Sequence, residues 1–247
     1  MHQEMYPHIQ KVEQTHWWYV ARRKIIFDWV WRVLADYGSP QLLDVGCGTG
    51  FNLEVLRSHG CNQVTGLDFS AEALSFCRSR HLTRLICSDG ARPPLRGQSF
   101  DVVIALDLIE HLADDCQALG ELAHLLKPGG ALIIFTPAFN FLWGLQDEVS
   151  QHYRRYTAAE LRQKVMQAGL IIDKLTYANT FLFPFIWAGR LVLRWRGNKI
   201  QGTSENDLHP AWSNHLLQAI FAAERPLLRY LNFPFGVSLL CVARKSG

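Results

Sequence analysis

The sequence has little net charge and no long apolar run. Its 247 residues carry 25 Lys and Arg against 22 Asp and Glu, a formal charge of +3. A charge this small makes no electrostatic case for binding a phosphate backbone, so no nucleic-acid partner is expected. No stretch reaches the roughly 20 apolar residues that a membrane-spanning helix needs. The nearest, 181–193, is interrupted by Pro184 and Arg190.

The six cysteines form no Cys-x-x-Cys pair, and no His/Cys cluster has the spacing of zinc ligands. We therefore expect reduced thiols and no metal. The first residues lack a basic segment followed by an apolar one, so no secretory signal is predicted and a cytoplasmic protein is expected. Apolar residues make up 49% of the chain. That share excludes a disordered or collagen-like protein and supports a packed core.

Short apolar runs alternate with helical patterns between residues 40 and 136, as is typical of a parallel sheet built from β-α-β units. We predict an α/β fold with a doubly wound, seven-stranded, mostly parallel sheet. A helical insertion is expected before the last strand. The predicted strands are 41–45, 63–67, 84–87, 100–106, 131–136, 171–177 and 236–244.

Three helix boundaries carry sequence signals. Ser70 precedes a helical segment as a candidate N-cap, and Lys127-Pro-Gly-Gly ends a helix predicted to run through Leu126. Thr157 and Glu160 have the spacing of a capping box. A further helix is predicted from about Ser213.

The most informative segment is a buried strand that runs into three alternating glycines and then a helix. Glycines at Gly46, Gly48 and Gly50 allow the backbone to approach a ligand at the carboxyl end of the strand. The dinucleotide fingerprint G-x-G-x-x-G would need a glycine at position 51, which is Phe51. A nicotinamide cofactor is therefore disfavoured.

With Asp44 two positions before the first glycine, DVGCGTG closely resembles motif I of the class I S-adenosylmethionine-dependent methyltransferases. Further segments follow in the family's order over residues 41–137. The resemblance implies a Rossmann-like fold, S-adenosylmethionine as cofactor and S-adenosylhomocysteine as product. It implies that Asp68 accepts the ribose hydroxyls, Phe69 packs on adenine and Asp89 accepts from the adenine amino group. The full predicted cofactor set is Asp44, Gly46, Cys47, Gly48, Gly50, Asp68, Phe69, Asp89, Gly90, Ala91, Leu106, Trp18 and Arg22.

Two less specific segments resemble the quinone-biosynthesis and small-molecule branch of the class. They are H-x-R-x-Y-T at 152–157 and the aromatic, basic stretch 16–23. In that branch the N-terminal helices close over the cofactor, so we predict a lid at 1–38. The remaining predicted units are a cofactor-binding core at 39–178, a helical and aromatic cap at 179–230, and a final strand within 231–247.

Methyl transfer from a sulfonium needs no covalent enzyme intermediate and no metal, so alignment and water exclusion should supply most of the catalysis. A carbon or phenolic acceptor must also lose a proton, and histidine suits that task near neutral pH. His152 is the first candidate base and His111 the second. Tyr153, Arg154 and Arg155 are candidate substrate contacts, although the two arginines could equally pair with surface acids.

The aromatic stretch 181–199 contains no acid from Arg190 to its end. Such a segment can lie at a membrane interface and capture an apolar or lipid-linked acceptor. The alternative is a hydrophobic cap over the pocket with solvated arginines.

The acceptor stays open: it could be small or lipid-linked, and it could be methylated on oxygen, carbon or nitrogen. Two other functions stay open as well, a cofactor-binding regulatory or scaffold protein without transfer activity and, less favoured, a nicotinamide-dependent oxidoreductase.

Overall fold

The computed structural model describes residues 5–195 and 210–247. Seven strands within these ranges form one sheet. They are β1 (Leu42–Val45), β2 (Val64–Asp68), β3 (Leu85–Cys87), β4 (Phe100–Leu106), β5 (Leu126–Pro137), β6 (Leu170–Ala178) and β7 (Ser238–Lys245). Their order is β3-β2-β1-β4-β5-β7-β6. Strand β7 runs antiparallel to both of its neighbours, and the other pairs are parallel. The predicted doubly wound, mostly parallel sheet is confirmed.

Strand β4 has the predicted bounds, whereas β5 begins at Leu126, five residues earlier than the predicted start at 131. The reason is a register shift in the β4–β5 pairing. Leu126 pairs with Phe100, and pairing resumes at Val102 with Ala131. The Lys127-Pro-Gly-Gly turn signal therefore lies inside a strand irregularity that follows directly on the end of a helix.

The described residues include ten α-helices. They are α1 (Met5–Val12), α2 (Trp17–Leu34), α3 (Phe51–Ser58), α4 (Ala71–Ser79), α5 (Asp115–Leu125), α6 (Leu145–Val149), α7 (Ala158–Gln167), α8 (Phe183–Trp195), α9 (Ala211–Ala222) and α10 (Glu224–Leu228). The Ser70 hydroxyl caps α4 by accepting from the Ala73 N–H, as predicted. The capping box of Thr157 and Glu160 at the start of α7 is also present.

The sheet has an apolar core on each face because successive side chains of a strand point to opposite sides. In β4, Val102 and Ile104 join the cluster under α2, while Val103 and Ala105 join the cluster under α5 and α7. All four of these side chains are fully buried. This explains the continuous apolar sequence of the central strands, which are covered by helices on both faces.

The N-terminal helices and the helices before β7 pack against each other. Asn214 of α9 accepts from the Trp17 N–H and donates to the Thr15 carbonyl, both at 2.8 Å. Asp28 of α2, a buried carboxylate, accepts from Arg225 at 3.2 Å and from Arg229. The polar part of the predicted cap, 196–209, lies outside the described residues. Within the described ranges, no helix has the length and apolarity to cross a bilayer.

Candidate active site

A cavity of about 980 Å³ opens at the carboxyl ends of the central strands. Strand β1 lies between β2 and β4, so the chain leaves its carboxyl end toward one side and later returns on the other. In doubly wound sheets this switch point is where ligands bind. The cavity is walled by the loops after β1, β2 and β4, by α1 and α2, and by one side of α8.

The loop after β1 brings bare backbone to the cavity. Gly46, Cys47 and Gly48 line it, and a side chain at Gly48 would meet no atom within 4 Å. Gly50 does not line it. Its φ is +80°, and a Cβ there would lie 2.7 Å from the Cys77 Sγ. Gly50 therefore shapes the turn into α3, and Gly48 leaves space that a ligand could occupy. A Cβ at Gly46 would instead lie 3.0 Å from Leu108 Cδ1.

Asp68 ties the glycine loop to the end of β2. Its Oδ2 accepts from the Gly48 N–H and its Oδ1 from the Ser70 N–H, both at 2.9 Å. Burial raises the pKa of the carboxyl group, and these hydrogen bonds oppose the shift. Phe69 beside it lines the cavity with 60% of its surface exposed, so its ring face is available for stacking.

Other predicted cofactor residues fall into two groups. Those that line the cavity are Asp89, Gly90, Leu106, Trp18 and Arg22. Asp44 and Ala91 are not part of the lining. The Ala91 N–H donates to Asp89 Oδ1 at 2.8 Å and so orients that carboxylate.

Asp44 lies buried behind the glycine loop. Its Oδ2 has no hydrogen-bond partner within the described part of the chain. Burial raises its pKa to about 7, although Arg22 acts in the opposite direction. A buried carboxylate oxygen without a donor is costly, which agrees with the raised pKa of Asp44.

Arg22 brings α2 onto the end of β4. Its Nη2 lies 2.5 Å from Asp107 Oδ2, and its guanidinium carbon lies 4.9 Å from the centre of the Trp18 ring. Asp107 follows β4 with a φ of +52°. Asp107 lines the cavity beside the predicted Leu106, at the end of β4.

The residue that organises the acceptor side is Asp147, which is fully buried in α6. It accepts from His152 Nδ1 at 2.8 Å and from Arg155 through Nε at 2.7 Å and Nη2 at 2.9 Å. The Gly144 N–H donates to it at 2.8 Å. Burial alone would raise the pKa of Asp147, but the hydrogen bonds from His152 and Arg155 outweigh it and hold the pKa at about 2.

An ionised Asp147 assigns the tautomer of His152. Its Nδ1 carries the proton that Asp147 accepts, so Nε2 is the nitrogen left with a lone pair in the neutral ring. His152 lines the cavity. The arrangement is a histidine oriented by a buried carboxylate, which is the usual construction of a general base.

His111 packs edge-on against His152, with ring centroids 4.5 Å apart. Burial, and secondly the His152 charge, lower the pKa of His111 to about 3. A base this weak accepts a proton poorly at neutral pH, so His152 is the better placed of the two candidates. One ligand atom each of Glu110, His111 and His152 lie within 4.8 Å of one another. Burial raises the pKa of Glu110, and the Thr136 hydroxyl donates to its Oε2 at 2.9 Å, whereas Glu110 Oε1 and His111 Nδ1 have no hydrogen-bond partner within the described residues.

The three predicted substrate contacts separate in the structure. Tyr153 and Arg155 line the cavity. Arg154 does not, because its guanidinium donates to the Ala113 carbonyl at 2.7 Å and lies 3.1 Å from Asp115. Arg155 pairs with Asp147, but that pair is buried and not on the surface as the sequence-based alternative had it.

Asn179, directly after β6, was missed by sequence reasoning. It is fully buried, lines the cavity and has a φ of +59°. Neither side-chain amide atom has a hydrogen-bond partner in the ranges that the structure describes. The Glu224 carboxylate, also fully buried, accepts from the backbone N–H groups of residues 179–181 and fixes this turn. Since β6 lies four strands from β1, roughly 19 Å away, Asn179 faces the end of the cavity remote from the glycine loop.

The sheet order, the glycine loop at the switch point and the acid after β2 define a class of α/β proteins that bind a nucleoside-containing cofactor. Comparison with known sequences and structures narrows this class of proteins. A family model described as a methyltransferase domain matches residues 43–134. The chain is therefore similar to the class I S-adenosylmethionine-dependent methyltransferases, enzymes whose cofactor is S-adenosylmethionine and whose product is S-adenosylhomocysteine.

Two curated relatives and one solved structure illustrate the similarity. A probable S-adenosylmethionine-dependent methyltransferase of Mycolicibacterium smegmatis is 28% identical over 165 residues, which cover 65% of this chain and 62% of that protein. The ubiquinone biosynthesis O-methyltransferase of Coxiella burnetii is 32% identical over 117 residues, covering 45% of this chain and 50% of the relative. The matched region thus spans less than two thirds of either relative.

The solved structure is a complex between the Haloferax volcanii Trm112 methyltransferase activator and a methyltransferase. The match has a TM-score of 0.62 and 20% identity, and it covers 99% of this chain and 97% of that one. At this identity the similarity establishes the fold.

Proposed function

We propose that the protein transfers the methyl group of S-adenosylmethionine to a small or lipid-linked acceptor by in-line displacement, with His152 as general base. The observation that carries the proposal is the buried Asp147–His152 pair, which opens into the same cavity as the glycine loop. The cofactor loop and the oriented base thus line one cavity, as a transfer reaction requires.

The cofactor end of the cavity fits S-adenosylmethionine. Gly46 and Gly48 would take the methionine part against bare backbone, Asp68 the ribose, and Phe69 with Asp89 the adenine. When bound, the cofactor supplies a methyl group on a sulfonium, which is already a good leaving group. The protein's contribution is to hold the acceptor in line and to exclude water.

His152 would remove the acceptor proton at Nε2. Asp147, ionised because its pKa is about 2, would stabilise the imidazolium that forms. An oxygen or carbon acceptor needs this step. The Coxiella relative is by its name an O-methyltransferase, and that similarity supports an oxygen acceptor.

Asn179 supports a polar acceptor. The Asn179 amide offers two donors and an acceptor to the cavity. Hydrogen bonds to a ligand group would offset the free-energy cost of burying this amide without a partner within the described residues. Tyr153 adds an aromatic surface nearby. We infer that the acceptor carries a hydroxyl or carbonyl group remote from the methylated atom.

The test is turnover in His152→Ala. Purified protein is incubated with S-adenosylmethionine and a small-molecule cell extract, and formation of S-adenosylhomocysteine is measured. We expect His152→Ala to lower turnover about 100-fold or more, as is typical for loss of a general base, while its affinity for S-adenosylhomocysteine stays within about twofold of the wild type. The exposed His215 on α9 provides the control, because it is not among the residues that line the cavity.

Full turnover in His152→Ala would remove His152 from the reaction. Wild-type protein that binds S-adenosylhomocysteine but forms none with any extract fraction would point to the regulatory alternative, a cofactor-binding protein without transfer. Saturable binding of NAD in place of both sulfur ligands would favour the oxidoreductase.

We further infer that α8 contacts a membrane surface. Its outward side chains are strongly exposed, with Trp195 at 93% and Phe185 at 75% of their surface. Its inward side chains Ile186 and Arg190 line the cavity. A lipid-linked acceptor arriving along α8 would therefore reach the cavity directly. Residues 196–199, the basic end of the stretch 181–199, lie outside the described residues.

Vesicle flotation tests this contact. We expect the wild type to float with vesicles that contain anionic phosphatidylglycerol, and the double variant Phe185→Ser, Trp195→Ser to remain in the soluble fraction, because membrane-interface binding scales with buried apolar area. Met166→Ser, Ile171→Ser is the matched control, since it removes two apolar side chains that are 59% and 60% exposed on α7 and β6. A wild-type protein that does not float would leave α8 as a cap over the cavity.

A further inference from the structure

A buried charge cluster joins the N-terminal helix to the glycine loop. Glu13, the residue after α1, is only 5% exposed. Its Oε2 accepts from the Thr49 hydroxyl at 2.5 Å, and its Oε1 accepts from Arg80 Nη2 at 2.6 Å. Its backbone carbonyl accepts from Arg23 at 2.7 Å. Thr49 lies within the glycine loop itself, so the segment after α1 is bonded directly to that loop.

Arg80 extends this cluster to a third part of the fold. Placed at the end of α4, it donates through Nε to the Thr49 carbonyl at 3.0 Å and through Nη1 to Glu54 of α3. Its guanidinium carbon also lies 5.1 Å from the centre of the Phe51 ring. The arginine thus joins the N-terminal segment, the glycine loop and the helix that follows that loop.

Helix α1 covers the cofactor end of the cavity. Tyr6, Ile9 and Glu13 all line the cavity. Tyr6 is 3% exposed, and its hydroxyl donates to Asp68, the carboxylate expected to hold the ribose. A ligand bound against Asp68 would therefore lie beneath α1.

The energetics indicate a role beyond packing. A buried ion pair contributes little net stability because both charges lose their hydration, and apolar residues of similar size often serve as well. Breaking such a pair by removing one partner is costly, however, and in binding sites that cost appears mainly in the dissociation rate. Ions at this position hold one defined arrangement of α1 against the loop.

We propose that Glu13 is a positioning residue that fastens α1 across the cofactor, so that cofactor and product leave only after the contacts of Glu13 with Thr49 and Arg80 open. The proposal rests on S-adenosylmethionine being the cofactor of the proposed function. It assigns Glu13 and Tyr6, neither of which belongs to the glycine motif, to cofactor retention.

The experiment compares Glu13→Gln with Glu54→Gln. Both variants remove one carboxylate partner of Arg80, but only Glu13 connects it to α1. Binding of S-adenosylhomocysteine is measured by calorimetry and its release by stopped-flow displacement. We expect Glu13→Gln to release the product about 10-fold faster with a matching loss of affinity, and Glu54→Gln to stay within about twofold of the wild type.

Hydrogen exchange of residues 5–15 adds a readout that a merely structural role would not move. S-adenosylhomocysteine should protect this segment in the wild type and in Glu54→Gln but not in Glu13→Gln. If Glu13→Gln is poorly folded, Glu13→Asp keeps the charge and shortens its reach, and the same faster release is expected.

Release from Glu13→Gln at the rate of Glu54→Gln would overturn the positioning role while leaving the cofactor intact. Equal protection of residues 5–15 in all three proteins would overturn it as well. Wild-type protein that does not bind S-adenosylhomocysteine would instead overturn the proposed function, and the role of Glu13 with it.

Discussion

Replacing Asp68 by asparagine is expected to weaken binding of S-adenosylhomocysteine at least about 100-fold, measured by calorimetry. The carboxylate accepts from the Gly48 and Ser70 N–H groups with separate oxygens. An asparagine has only one carbonyl oxygen, so its NH₂ group would face one of these N–H donors. The substitution therefore loosens the glycine loop and removes an acceptor for the ribose. The hydrogen bonds of the Gly48 and Ser70 N–H groups to the ionised carboxylate contribute about 1.5–3 kcal/mol each, which is enough for the expected 100-fold loss of affinity.

The matched control is Asp101→Asn. Asp101 is also an aspartate held by hydrogen bonds, with Lys127 Nζ at 2.8 Å and the Gln41 N–H at 2.8 Å, but it does not line the cavity. The affinity of Asp101→Asn for S-adenosylhomocysteine should stay within about twofold of the wild type even if the melting temperature of this variant falls. Asp68→Asn that binds S-adenosylhomocysteine as the wild type does would exclude Asp68 from the cofactor site.

The cofactor end of the cavity was predictable because it is built from contiguous sequence. A strand, its following loop and the next helix carry Gly46 and Gly48 together, and the strand patterns place Asp68 at the end of the neighbouring strand. Continuous apolar runs predicted the central strands, since both faces are covered. Local signals were therefore enough for the glycine loop and Asp68.

The acceptor end was not predictable because its contacts depend on tertiary packing. Asp147 and Arg155 stand in a polar stretch of sequence, and nothing local shows that α6 and the loop after it place these two charges in the interior. The backbone at residues 179–181 is held by Glu224 of α10, which lies 43 to 45 positions further along the chain. The cofactor end has one such contact too, since Glu13 meets Arg80 across 67 positions. Such pairs become visible only when the chain has folded.

Asp147→Asn is expected to lower the free energy of unfolding by about 3–5 kcal/mol, the usual cost of leaving a buried charge without its partner. Arg155 donates twice to Asp147, and its side chain is 7% exposed, so solvent cannot replace the lost carboxylate. His152→Ala should cost only about 1 kcal/mol, because it removes one hydrogen bond and leaves the ion pair intact. Urea denaturation at neutral pH measures both values. Equal stability of the two variants would contradict a structural role for the ion pair.

The pH dependence of the free energy of unfolding tests the contribution of the Asp147 carboxylate. The folded-state pKa of Asp147 is about 2, below its ordinary value of 3.8. A depressed pKa means that the stabilisation is fully present above about pH 4 and is lost as the pH falls toward 2, a contribution of about 2 kcal/mol. The difference in the free energy of unfolding between wild type and Asp147→Asn should therefore become smaller as the pH falls over this acidic range. The matched comparison is the same difference between wild type and Asp101→Asn, measured over the same pH range. A gap that stays constant from pH 5 to pH 2 would mean that Asp147 does not hold His152 and Arg155 as an ionised group, and the oriented base would lose its physical foundation.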